Sequence, residues 1–483
     1  MYNLFLKHIH FILGSIFGLY FMYTLNNALT INFEVVKALI LCIIAYLLSI
    51  IPFIHYFKTK GRPRLIDWMR VVLFFTIVLD FMKNVNQSSG KKTIFFIDNI
   101  LTDLTDAPFV LFTLILAFLS LDLGYLIFTS ICRNHNVSKR IDAFKVFMIK
   151  GKNKLLFFLG FSTIIKAYFH STGISGYGSS IEYTFGLFSL VKNIQGNLND
   201  ILIILTCYVV FIEGYENKKY RKLFFFLIII QAILGLISGM KESFLLPILY
   251  VSVAFLMGGG RIKKQFVIIS FPILILLFPL NNAYRDILND PFLNKGNTVV
   301  NVTLAVNKIK QQSLSETVLG GAENYGSRSS MYGYLDNSIK TESNWNYYKH
   351  LDRYWAIPIV WLVPRAVWPS KPRNDVGAIY NDQLVGVTTN SITPMNIGWV
   401  YFEGGIPYVI IIFILIGLFF TYIDYSNIKK PIVFFFFIWC LHKALKPEWD
   451  PYFMFSSAIQ SFVTLWLVLK YFGVKKLMFL KIK

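Results

Sequence analysis

Residues 108–131, PFVLFTLILAFLSLDLGYLIFTSI, hold a single charged side chain in an unbroken apolar run. Crossing a bilayer as a helix takes roughly 20 such residues. Runs of this kind recur along the chain, and they leave few folds open. Inside hydrocarbon, backbone polar groups must be satisfied within a helix or around a closed barrel. A barrel would show short alternating strands, and the long continuous runs exclude that pattern. The expectation is an all-α polytopic membrane protein. Composition agrees, with 55% hydrophobic residues, 15% charged residues and 47 phenylalanines in 483 positions.

About 12 transmembrane helices are predicted, at 9–25, 33–56, 64–82, 108–131, 154–170, 199–213, 223–239, 242–257, 265–281, 405–424, 431–445 and 452–471. Nine of them occupy residues 1–281. Residues 282–404 form one large, partly helical outward loop, and 405–483 carry the last three spans and a tail. Within the loop, Val299, Val302, Val306 and Ile309 are spaced to share a helix face. The run RYWAIPIVWLV at 353–363 is too short and proline-broken to span, which predicts an interfacial or re-entrant segment with Trp355 and Trp361 at headgroup level.

Every second connection is basic: KTKGRPR at 58–64, the 132–154 loop, NKKYRK at 217–222, RIKK at 261–264, IKK at 428–430 and the C-terminal tail. The positive-inside rule puts these, and both termini, in the cytoplasm. Of 47 Lys and Arg, 27 fall on that side with 6 of the 26 acids, an excess of 27 − 6 = +21; outside, 20 − 20 = 0. The whole net charge of +21 is a topology signal, and no nucleic-acid partner is called for. The four cysteines, Cys42, Cys132, Cys207 and Cys440, lack metal-ligand spacing and read as small core residues. Only Lys7 precedes the first apolar run and no small-x-small cleavage site follows, which predicts a retained first helix.

No GxxxxGK[ST], GxGxxG or HExxH motif is present, and the glycines of GISGYGSS at 173–180 lack a strand–helix context. The informative residues are cations on the side that topology disfavours. Lys241 occupies a tight outward turn beside Glu242, so it either pairs with that neighbour or serves a site. Lys37 and Lys166, just inside the outer ends of their spans, read as snorkelling lysines. Arg285 follows the ninth span beside Asp286, its alternative partner. WLVPRAVWPSKPRNDVG at 361–377 adds Arg365, Lys371 and Arg373 among Pro364, Pro369 and Pro372. Proline stiffens that backbone, and arginine can grip a phosphate with two parallel hydrogen bonds. Together these cations suit a diphosphate at the outer surface; a lipid-headgroup anchor is the plain alternative.

Acid–base candidates are Glu403, where the chain re-enters the membrane, with Asp375 and Asp382 after the cationic stretch. Asp122, within the fourth span, calls for a structural partner. His442 and Lys443, beside KPEWDPY, form a further wall of the outer site. No metal cluster is predicted and no cofactor is called for.

This pattern resembles the Wzy-type O-antigen polymerases, the oligosaccharide repeat-unit polymerases. The likeness lies in the multi-span plan, in SGMKESFLLPIL with Lys241 opening a span, and in AYRD after the ninth span. It continues in VPRAVWPSKP followed by TPMNIGWVYFEGGIPYVIIIFILIG. Lysine at 241 departs from the family's usual arginine, and the spacings Arg365–Gly377 and Arg373–Gly386 are longer than its R-x10-G loops. The resemblance implies a GT-C-like polymerase/ligase architecture in a bacterial inner membrane, with its active site facing the periplasm. It implies a metal-independent glycosyltransferase joining undecaprenyl-diphosphate-linked oligosaccharides into O-antigen, capsular polysaccharide or exopolysaccharide. Lys241, Arg285, Arg365, Lys371 and Arg373 would hold the diphosphate. Glu403 or Asp375 would assist the attacking hydroxyl, and Trp368, Trp399 and Tyr401 would stack on sugars. Implied partners are the lipid-linked oligosaccharide, the bilayer, a chain-length regulator and a repeat-unit flippase. Two rivals share much of this pattern: an O-antigen ligase acting on lipid A-core, and a flippase or transporter of lipid-linked sugars.

Overall fold

The computed structural model describes residues 2–29, 32–60, 62–88, 104–133, 147–172, 187–261, 279–288, 290, 292–293, 298–311, 331–341, 356–360, 363, 368 and 394–473. All described elements are helical, and no strand occurs among the described residues. Six helices are long and apolar enough to cross a membrane: Phe33–Thr59, Leu104–Cys132, Ile194–Ile212, Lys218–Ile237, Met395–Tyr425 and Pro451–Tyr471. The protein is therefore an α-helical membrane protein.

In chain order, α1 is Tyr2–Ala28, α2 Phe33–Lys60 and α3 Leu65–Leu73, which runs through a π turn at Phe74–Val78 into α4, Leu79–Ser88. Then come α5 Ala107–Arg133, α6 Lys152–Ser171, α7 Leu187–Cys207, α8 Lys218–Ile237 and α9 Lys241–Met257. The segment before the last three long helices supplies α10 Thr298–Gln311, α11 Tyr332–Thr341 and the short α12 Ile357–Val360. The chain closes with α13 Met395–Tyr425, α14 Pro431–Leu445 and α15 Pro451–Tyr471. Proline opens α14 and α15, where its missing N–H costs nothing, and Asp450 caps α15 by accepting from the Tyr452 N–H at 2.9 Å. The predicted span at 265–281 falls almost wholly outside the described residues.

The basic connections meet at one end of the bundle. Arg62 donates to the Asp424 carbonyl at 3.2 Å, and the Asp424 carboxylate accepts from the Leu65 N–H at 2.8 Å. The Tyr208 hydroxyl bonds the carbonyls of Phe147 and Lys429, and Glu213 holds both the Ile149 N–H and Lys152. Gly151 in turn donates to the Phe472 carbonyl. At the same end Arg70, fully buried, pairs with Asp122 and lies 3.7 Å from Asp67, which Arg64 grips with two hydrogen bonds. This is the structural partner that Asp122 called for.

α5 and α13 cross at backbone contact. A Cβ on Gly124 would lie 2.4 Å from the Ile414 carbonyl oxygen, and one on Gly417 would lie 2.5 Å from that of Leu121. Small residues let helices approach closely where packing, not water exclusion, drives association. Gly417→Ala is therefore expected to force the helices apart and lower stability by about 1–3 kcal/mol, measured as a fall in thermal midpoint in detergent.

α11 enters the bundle much more deeply than a surface loop would. Its leading Met331 N–H donates to the Thr76 carbonyl at 3.2 Å, and the Tyr332 N–H donates to Asp80 at 2.9 Å. Thr76 lies within the π turn, roughly 17 Å along a helix of about 36 Å from Leu65 to Ser88. Met331, Tyr332, Leu335, Asp336 and Ser338 are all buried. The sequence pointed to residues 353–363 as interfacial or re-entrant, and among the described residues 331–341 also penetrate. Ile357 and Val360 pack with Tyr452 near the start of α15. Trp355 and Trp361 lie outside the described residues. α10 fits its predicted face in part: Val302, Ala305 and Ile309 pack on Ala283, Tyr284 and Ile287.

Candidate functional site

α13 begins ten residues before the predicted span at 405, so Met395–Gly404 belongs to a buried helix and not to an open loop. The apolar stretch NIGWVYF gives it a buried surface: Ile397, Trp399, Val400 and Phe402 are all closed off. The helix then breaks. Gly404 has φ −177°, ψ 22°, and Gly405 has φ 64°, ψ −153°, a region open essentially to glycine. Glu403 stands immediately before the break, 1% exposed. Broken helices in membrane proteins expose backbone groups at their inner ends and often mark ligand sites.

The start of α13 is tied to the turn after α14, where the Asn396 N–H donates to the Pro447 carbonyl at 2.9 Å. That turn forms an ionic cluster with the start of α9. Glu242, in the first turn of α9, accepts from His442 Nε2 at 2.9 Å and from the Lys446 ammonium. Lys443 stands over the Trp439 ring at 5.5 Å. An acid at a helix N-terminus facing bases at a C-terminus has a dipole rationale of its own. Lys443 and Lys446 face the Glu242 carboxylate, and Asp200 lies within electrostatic reach of Lys443 and Glu242 as well. Met240 provides no side-chain cap, so the first N–H groups of α9 face the same end, a disposition that favours anions.

The proposed diphosphate residues therefore divide. Lys241 opens α9 one residue before Glu242, whose carboxylate is held by His442 and Lys446. Arg285 sits on the helical stretch 279–288, and its neighbour Asp286 pairs with Lys308 at 2.9 Å. Arg365, Lys371, Arg373 and Asp375 lie outside the described residues, as does Asp382. Of the stacking candidates, Trp399 and Tyr401 are 3% and 6% exposed, and Tyr401 meets Phe109 edge-on at 6.1 Å. Both rings are core residues in this conformation. Trp368 is half-buried against Ile357, Val360 and Tyr452.

Lys446 was the signal missed: it stands in KPEWDPY, but its partner is 204 residues away. Lys37 pairs with Glu34 at 2.6 Å on an exposed surface, in keeping with snorkelling. Lys166 does not snorkel freely; it donates to Gln231 at 2.9 Å. Gln231 also exchanges hydrogen bonds with Asn199 and reaches Thr163, so that α6, α7 and α8 are laced together by a buried polar network. One turn of spacing could have flagged Ser162, Thr163 and Lys166 in sequence, but nothing there shows which helix answers them.

No curated protein and no solved structure gave a match to this chain. A family model described as a domain of unknown function (DUF8712) matches residues 173–478, which include α7 to α15 and both sides of the Glu242–Lys446 cluster. That match spans well over half of the 483 residues, and the chain belongs to the DUF8712 family.

Proposed function

We propose that the protein is a glycosyltransferase that joins undecaprenyl-diphosphate-linked oligosaccharides into a polymer at the periplasmic face of a bacterial inner membrane. The observation that carries this reading is the gathering of His442, Lys443 and Lys446 about Glu242 at the start of α9, where Lys241 is the preceding residue. Lysine side chains gathered at the end opposite to the one where the basic connections meet suit a lipid-borne diphosphate. That meeting of connections also supports the twelve-span arrangement with both termini inside.

In the reaction, a hydroxyl oxygen of the acceptor sugar attacks the anomeric carbon of the donor. The bond from that carbon to the diphosphate oxygen breaks, and its electron pair leaves with the diphosphate. Lys443, Lys446 and Lys241 stabilise the growing charge, an oxyanion-type role that gains strength where water is scarce. The hydroxyl proton passes to a carboxylate, and Glu403 at the helix break is the buried one on the outward half of α13. It lies seven residues, about 10 Å, deeper than Asn396.

The test uses proteoliposomes loaded with lipid-linked oligosaccharide extracted from cells lacking the gene. Wild-type protein is expected to elongate it, and the Lys443→Ala/Lys446→Ala double variant to do so on the order of 100-fold more slowly, equivalent to about 2.7 kcal/mol. In cells, deletion is expected to leave single repeat units on the acceptor lipid. Loss of all glycan from that lipid would point to the ligase, and absence of elongation in vitro would end the polymerase reading.

A further inference from the structure

Asn396 is wholly enclosed, at 0% exposure, and neither its Nδ2 nor its Oδ1 has a hydrogen-bond partner. Buried amide groups are almost always bonded, and each exception asks for a reason. The residue before it adds a second irregularity. Met395, also fully buried, has φ 64°, the left-handed region that side chains other than glycine and asparagine rarely adopt. Strain and an unsatisfied amide thus fall on consecutive residues at the start of one helix. Were packing the only demand, an apolar side chain at 396 would remove the second cost at once.

The surroundings indicate what the amide is kept for. Its own backbone N–H is anchored on Pro447, next to Lys446 of the cationic turn. Trp399 lies three residues on and Glu403 seven, so all three share one side of the outer half-helix. Gly398 brings the same half-helix against α11, where an added Cβ would stand 2.9 Å from the Ser338 hydroxyl. An amide is uncharged and offers one donor edge and one acceptor edge. It has little to give a phosphate beyond what lysine already supplies. It matches two neighbouring sugar hydroxyls, one accepting from Nδ2 and one donating to Oδ1.

We propose that Asn396 is a saccharide-binding residue, which hydrogen-bonds hydroxyls of the sugar next to the diphosphate. This rests on the glycosyltransferase reading above and adds a sugar subsite to it. Because Asn396 is closed off, the sugar reaches it when the half-helix 395–403 swings outward on the Gly404–Gly405 break. The energy of the new hydrogen bonds then goes to the ligand that carries sugar, and not to the bare lipid diphosphate. A buried polar group built to meet a hydroxyl discriminates strongly against a ligand that lacks one.

The experiment measures binding to the purified full chain in nanodiscs with two probes. One is undecaprenyl diphosphate without sugar; the other is the lipid-linked oligosaccharide extracted from gene-deleted cells. Asn396→Leu is expected to weaken glycolipid binding about 10- to 100-fold, to leave bare undecaprenyl diphosphate within twofold, and to keep or raise the thermal midpoint. Lys446→Ala is expected to weaken both probes together. Wild-type glycolipid affinity in Asn396→Leu would make the amide a structural group alone and overturn the proposal, while the glycosyltransferase reading would stand. If wild-type protein binds neither probe, that reading falls and the sugar subsite falls with it. Should Asn396→Leu not fold, Asn396→Asp keeps the shape and loses the donor, and the same selective loss is expected.

Discussion

Replacing Arg70 with methionine is expected to remove about 3 kcal/mol of stability, near the lower end of what breaking a buried ion pair costs. The side chain is fully enclosed where α2, α3 and α5 meet. It pairs with Asp122, and its guanidinium also donates to the Leu48 and Phe118 carbonyls, each at 3.2 Å. Removal strands Asp122 and leaves both carbonyls short of a donor. Asp67 keeps its two bonds from Arg64, and Asp122 is 31% exposed, so water recovers part of the loss. These two facts set the estimate low in the range. The double variant Arg70→Met/Asp122→Leu is expected to regain most of the stability, since replacing a whole buried pair by apolar groups is often neutral. Thermal unfolding of the four proteins of this cycle in one detergent measures it. A single variant as stable as wild type would show the pair to be idle.

Glu403→Gln is expected to lower elongation on the order of 10³-fold, within the usual range for a lost general base. The substitution keeps the shape of the buried side chain and removes its charge. Glu403→Asp retains the charge but withdraws it by about one methylene. It is expected to keep more activity than Glu403→Gln, which a purely structural side chain would not require. The comparison is made with equal amounts of folded protein and lipid-linked substrate in excess. Full activity in Glu403→Gln would remove this residue from the chemistry and leave the cationic cluster untouched.

The helical membrane class was legible because apolar length is a local property. A run such as 108–131 needs no partner to declare itself, and α5 covers it with residues to spare at both ends. The alternation of basic connections was local too, and in the structure Arg62, Phe147, Glu213 and Lys429 come together at one end of the bundle. What escaped were pairings made by tertiary structure. YGYLDNSIKT, the sequence of α11, is too polar to announce burial; its penetration depends on a carbonyl and a carboxylate offered by the helix that runs from α3 into α4. Likewise Glu242 has Lys241 as its neighbour in sequence and takes Lys446 as its partner in space. The early start of α13 escaped because the chain breaks at Gly404 and Gly405, which join its two helical halves.

The π turn at Phe74–Val78 accommodates one residue more than an α-helix would over the same rise. Deleting a single residue there would let α3 and α4 fuse into one regular helix. The local hydrogen bonding would become more ordinary, yet everything beyond the turn would rotate by about 100°. Asp80 would swing away from the Tyr332 N–H, and Asn86 from Asn27, which it now meets at 2.7 Å. The extra residue thus works as an indexing tooth: it sets which side of the outer half of this helix is offered to the inserted segment.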